Sequence, residues 1–114
     1  MQHYQVQGAL AANHIFYSKA PFGYTIVHVS LCNTSANAGT LKLGDGSDDD
    51  GYLAAEDFGV SGTPTEVATR AGFDGAVAAG QYPHIDDGDI LKVTITDHAS
   101  HMTDASVVIT CMPD

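Results

Sequence analysis

Tryptophan is absent from this chain of 114 residues, lysine and arginine together number four, and there are two cysteines. Each shortage narrows what the protein can be. Four basic residues against fourteen acidic ones leave a formal charge of −10 at pH 7. That balance repels phosphate backbones and anionic headgroups, so neither nucleic acid nor a membrane surface is expected as a partner. No apolar run approaches the roughly eighteen residues of a membrane-spanning helix, so no span is expected. The first residues carry neither a basic region nor a continuous apolar segment, and no signal peptide is expected from the sequence as written. Cys32 and Cys111 lie far apart, each in a strand-like run. A buried pair of reduced thiols is expected; a disulfide joining the two strands is the alternative, and two cysteines do not fix the redox compartment.

Catalytic signatures are missing too. The chain has no G-x-S-x-G elbow, no HExxH and no phosphate-binding loop, so it is not expected to be an enzyme. Sustained helical periodicity with caps is also lacking. What remains is a set of short alternating runs punctuated by Gly/Pro-rich turns, with an apolar content of 44%, enough for one core at this length. The expected fold is all-β, an antiparallel β-sandwich or jelly-roll-like barrel. Residues 1–12 read as an N-terminal arm or edge strand and 13–114 as a single β-sandwich domain.

The strands can be placed by their period of two. Asn13–Lys19 reads as a strand closed by the turn Pro21-Phe22-Gly23. Tyr24–Asn33 is the strongest, with Val27, Val29 and Leu31 expected on one face and His28, Ser30 and Cys32 on the other. Asn33–Gly39 is turn material, expected to join this strand to Thr40–Leu43 as an antiparallel pair. Thr65–Ala71 is expected to be a short strand, with one helical turn as the alternative. Phe73–Tyr82 is rich in glycine and alanine, which permit close backbone approach. Asp89–Thr96 puts Leu91, Val93 and Ile95 on one face, and Ala105–Met112 aligns Val107, Ile109 and Cys111. With the polar stretch Asp97–Asp104 between them, these two read as a terminal hairpin.

Gly39–Ala54, GTLKLGDGSDDDGYLA, is a strand, an acidic loop and a return to the core. Hard cations favour carboxylate clusters, which makes Asp45, Asp48 and Asp50 calcium candidates. If Gly51 is set on the glycine of an EF-hand loop, Asp48 and Asp50 take ligand positions three and five. Position one then falls on Gly46, position twelve on Asp57, and no flanking helices exist. A solvated turn is therefore expected, with no metal site and no cofactor assigned. His98 and His101, beside Asp97 and Asp104, have the spacing of a metal pair but lack assignable further ligands, so a polar hairpin loop is expected. His28 is expected to be solvent-exposed.

Two runs carry a family resemblance. Leu41–Leu53, LKLGDGSDDDGYL, resembles a pattern in the capsid decoration, or cement, proteins of tailed bacteriophages. Asp87–Thr96, DGDILKVTIT, followed by a last apolar strand, looks like their C-terminal hairpin. The resemblance covers roughly Thr25–Met112, a length that fits one domain. It implies a small β-rich, non-enzymatic virion protein, often trimeric, that binds the major capsid protein on the outside of the head. It brings no catalytic residues. Burial of Ala76–Gly80 against a neighbour, and strand addition by the N-terminal arm, would suit such a homo-oligomer. The alternative is a carbohydrate-binding or adhesion module, with calcium dependence from the acidic loop and Tyr24, Tyr52 and Tyr82 as stacking rings. The absence of tryptophan counts against it. A small cupin-like metal enzyme, resting on the histidines alone, has the least support.

Overall fold

A computed structural model describes residues 2–114. Among the described residues nine strands follow one another: β1 (Gln2–Ala9), β2 (His14–Lys19), β3 (Tyr24–Cys32), β4 (Thr40–Gly44), β5 (Leu53–Asp57), β6 (Thr65–Val67), β7 (His84–Ile85), β8 (Ile90–Thr96) and β9 (Thr103–Pro113). One sheet has the order β1-β9-β3-β6, with β7 also paired to β3; the other runs β2-β8-β4-β5. Every strand pairing is antiparallel. The two sheets pack face to face as a β-sandwich and do not close into a barrel.

The period of two explains the core. Leu41 and Leu43 of β4, Leu91, Val93 and Ile95 of β8, and Val107 and Ile109 of β9 are all fully buried. Each such side chain contributes about 1.5–3 kcal/mol by leaving water. In β3 the alternation breaks. Tyr24 and Ile26 point inward, then Val29 and Leu31, while Val27 lies outside the core. The register with β9 shifts between Ile26 and His28, so one extra residue at Val27 flips the phase of the strand. Val27 was expected to face the core with Val29 and Leu31, and the bulge corrects that.

Two expected pairings also change. Asn33–Gly39 does not close a hairpin, because β3 belongs to the first sheet and β4 to the second. The chain is turned across the sandwich by Asn33, which is 1% exposed. Its amide donates to the carbonyls of Asn37 (3.1 Å) and Gly59 (2.9 Å), and its Oδ1 accepts from the Ser35 N–H (2.9 Å) and hydroxyl (2.5 Å). The terminal hairpin dissolves in the same way. β8 lies between β2 and β4 in one sheet, and β9 lies between β1 and β3 in the other. Residues 97–102 cross between them, tied by Asp97 and plugged into the core by fully buried Met102.

The N-terminal segment takes the edge-strand alternative: β1 is zipped to β9 of its own chain, from Gln2 opposite Ile109 to Ala9 opposite Thr103. Thr65–Ala71 divides between its two alternatives, giving β6 and then a 3-10 turn at Arg70–Gly72. Both cysteines are free and partly exposed, not a buried pair. Cys32 sits opposite Ser106 and Cys111 opposite Ile26. The separation along β9 is then about 17 Å, far beyond the reach of a disulfide. Among the described residues, no helix is long and apolar enough to cross a membrane.

Candidate functional site

Three places on this scaffold gather polar or exposed groups. The first is the acidic loop after β4. Asp45 is consumed by the turn itself, its Oδ1 accepting from Ser47 N–H (2.8 Å) and Asp48 N–H (2.7 Å). Those bonds hold its carboxyl below the ordinary range. The carboxylates brought together are Asp48, Asp49 and Asp50, whose oxygens lie within 4.8 Å of one another. Of the candidates Asp45, Asp48 and Asp50, the last two belong to this cluster, and Asp49, not singled out from the sequence, completes it. The hydrogen bond between Asp48 and Asp50, with mutual repulsion behind it, raises the Asp48 carboxyl above its ordinary value. Lys42 is 3.9 Å from Asp49, an exposed pair of small energetic weight.

The loop is also a packing platform. Gly51 carbonyl accepts from Val77 N–H (2.8 Å) and Ala78 N–H (3.2 Å). A Cβ on Gly75 would lie 2.5 Å from the Gly51 carbonyl carbon, so only glycine allows this approach. The close approach read from the Gly/Ala-rich segment is thus made within the chain, on the acidic loop. Tyr52, 6% exposed, and Tyr24, 2% exposed, are core residues. Tyr82 is partly buried against Phe73, with ring centroids 6.0 Å apart.

The second place is the histidines. His101 Nδ1 lies 2.6 Å from Asp97 Oδ2, while Asp97 Oδ1 accepts from His98 N–H and Met102 N–H. Burial pushes the Asp97 carboxyl upward, but these bonds together take it below the ordinary value. His98 Nδ1 accepts from Ser100 N–H (2.9 Å) and Asp104 accepts from Gly8 N–H (2.6 Å). The groups read as a metal pair thus build the crossing loop and its contact with β1. His28 is partly exposed and 3.4 Å from Glu66. His84 lies between Asp86 (3.2 Å) and Asp114 (3.0 Å); chiefly the Asp114 bond raises its pKa.

The third place is the paired free edge. β1 ends the first sheet and β2 the second, and they lie side by side: the rings of Tyr4 and Phe16 are 5.4 Å apart. On the outer face of β2, Ile15 is 50% and Tyr17 62% exposed, with Lys92 Nζ 5.9 Å above the Tyr17 ring. The strand alternation marks these residues as outward, but only the sheet order shows that they sit on an unpaired edge.

Comparison with known proteins leaves the fold to speak for itself. No family model, curated protein or solved structure matches the chain.

Proposed function

We propose that the chain is a non-enzymatic structural protein of a bacteriophage particle, binding the outer surface of the head, and the major capsid protein there, as a homo-oligomer, with a trimer as the form to test first. The observation that carries this reading is the paired free edge, where β1 and β2 end their sheets beside exposed Ile15 and Tyr17. An unpaired edge next to apolar side chains suits association with protein. The charge of −10 suits a basic docking surface. The resemblance to decoration proteins now rests on the acidic-loop run, because the last two strands do not form a hairpin. The sugar-binding alternative loses support, since Tyr24 and Tyr52 offer no exposed ring face.

Mass spectrometry of particles purified from the producing host is expected to find many copies per particle. Light scattering of the purified protein is expected to give a multiple of the chain mass. Ile15→Asp combined with Tyr17→Asp is expected to abolish particle binding without lowering the melting temperature. Recovery only in the lysate, never with particles, overturns the reading.

A further inference from the structure

A cleft of about 410 Å³ lies where the start of β1 meets the end of β2, between Gln2 and Lys19. Its lining includes Tyr4, Ser18, Phe22, Tyr24 and Cys111. The volume falls in the range of small-molecule sites, which pair apolar walls with a few oriented polar groups. Those polar groups are unevenly satisfied. Tyr4 hydroxyl donates to Gln2 Oε1 at 2.6 Å, and Gln2 Nε2 points to Cys111 Sγ at 3.8 Å. Tyr24 hydroxyl is buried and has no hydrogen-bond partner among the described residues. Tyr24 lines this cleft together with Gln2, Tyr4 and Cys111. Gln2 lies beside Tyr24, but no hydrogen bond to the hydroxyl is formed among the described residues, and Gln2 Oε1 instead accepts from Tyr4 and, at 3.5 Å, from Ser18.

A buried hydroxyl without a partner is costly, and such exceptions call for an explanation. The charge around it narrows the explanation. In a chain with fourteen acidic residues, none of the described residues lining the cleft is acidic, and His3 and Lys19 are among them. Burial raises the Cys111 thiol above its ordinary value, so it lines the wall as a neutral group.

We propose that the cleft between β1 and β2 binds a small, mainly apolar molecule, neutral or anionic, that presents a carbonyl-type oxygen to the Tyr24 hydroxyl. Gln2, a partly buried side chain at the start of an edge strand, swings aside to admit it. The site is independent of any role on a phage particle, because it needs only the single chain.

The test is an amide NMR titration of the intact protein with acetophenone, toluene and benzylamine. These share a ring and differ in offering an acceptor, nothing polar, or a cation. Acetophenone is expected to shift signals around Tyr4, Ser18, Tyr24 and Cys111, and to bind about three- to tenfold more tightly than toluene, the worth of one hydrogen bond. Benzylamine is expected to bind weakest. Tyr24→Phe should erase the preference for acetophenone while leaving toluene binding in place. Gln2→Ala, at the strand start, should strengthen acetophenone binding by uncovering the hydroxyl. Shifts elsewhere, no shifts, equal binding of all three probes, or an acetophenone preference that survives Tyr24→Phe overturns the proposal. So does displacement of the probes by self-association, which would make the cleft part of an interface between copies.

Discussion

Replacing Asn33 by alanine removes the side chain that turns the chain from one sheet to the other. Five contacts are lost: two amide N–H bonds, to the carbonyls of Asn37 and Gly59, and three to Oδ1, from the Ser35 amide and hydroxyl and, at 3.4 Å, from the Thr103 amide. Gly59 carbonyl keeps a partner, because the Asn33 backbone N–H also donates to it at 2.9 Å. Asn37 carbonyl keeps only the Ser35 hydroxyl, at 3.3 Å. At about 0.5–1.5 kcal/mol net per bond, the loss comes to about 2.5–7.5 kcal/mol. That is a large share of the roughly 5–15 kcal/mol that holds an ordinary domain. An unfolding entropy of about 2.1 cal/mol/K per residue translates each kcal/mol into about 4 °C, so the melting temperature should fall by roughly 10–30 °C. Urea denaturation followed by far-UV circular dichroism gives the free energy, and an unchanged slope shows that the native fold persists. Asn33→Asp is the informative companion. It keeps the shape and the Oδ1 acceptor but turns a second oxygen toward two carbonyls, so it should be at least as damaging near neutral pH. It should recover partly in acid, where a protonated carboxyl can donate. A loss below about 1 kcal/mol for Asn33→Ala, or wild-type stability for Asn33→Asp at neutral pH, refutes the reasoning.

Tyr24→Phe should act in the opposite direction, raising the stability of the unliganded protein by about 1–3 kcal/mol, because it deletes a buried oxygen with no partner; calorimetry decides, and a clear fall would show that the hydroxyl is bonded. His84 has a folded pKa above its ordinary 6.5, owing first to Asp114. Its stabilisation is therefore fully present below pH 6.5 and lost as pH rises through the folded value. The urea midpoints of wild type and His84→Asn, followed from about pH 5.5 to 8.5, should differ most at the acid end and converge at the alkaline end. Wild-type protein should melt at the same temperature in calcium and in chelator, and Asp48→Asn with Asp50→Asn should melt no lower, since it relieves a repulsive pair. A rise of several degrees in calcium that the double variant lacks would make the acidic loop a metal site.

Much of the core was legible because alternation is a local property. Leu91, Val93 and Ile95 declare their shared face within seven residues, as do Leu41 and Leu43 within five, and the structure buries all of them. Which sheet a strand joins is not local. The runs ending in Thr96 and beginning near Thr103 look like two arms of a hairpin, and the turn of Asp97 between them sends them to opposite layers. The bulge at Val27 was hidden because either phase of YTIVHVSLC offers apolar residues to the core. The candidate sites show the same divide. That Asp45 would cap its own turn is the ordinary behaviour of an aspartate two and three residues before free N–H groups. The cleft was invisible because its walls come from β1, β2, β3 and β9, brought together only by the fold.

The threading of the chain between layers bears on how the molecule comes into being. Among the described strand pairings, only β4 with β5 joins immediate neighbours in sequence. Both β1 and β3 wait for β9, and both β2 and β4 wait for β8. Such distant partnerships bring slow folding, because long loops must close before the contacts reward them. On the ribosome, the first half of the chain therefore leaves the exit tunnel with no partner for most of its strands. Leu31 lacks its β9 partner until residues 103–113 have been synthesised, and Leu41 and Leu43 lack their β8 partners until residues 90–96 have, in reach of chaperones and of other nascent copies. A ribosome stalled just before Thr103 would hold a chain whose first sheet has lost the strand that joins β1 to β3.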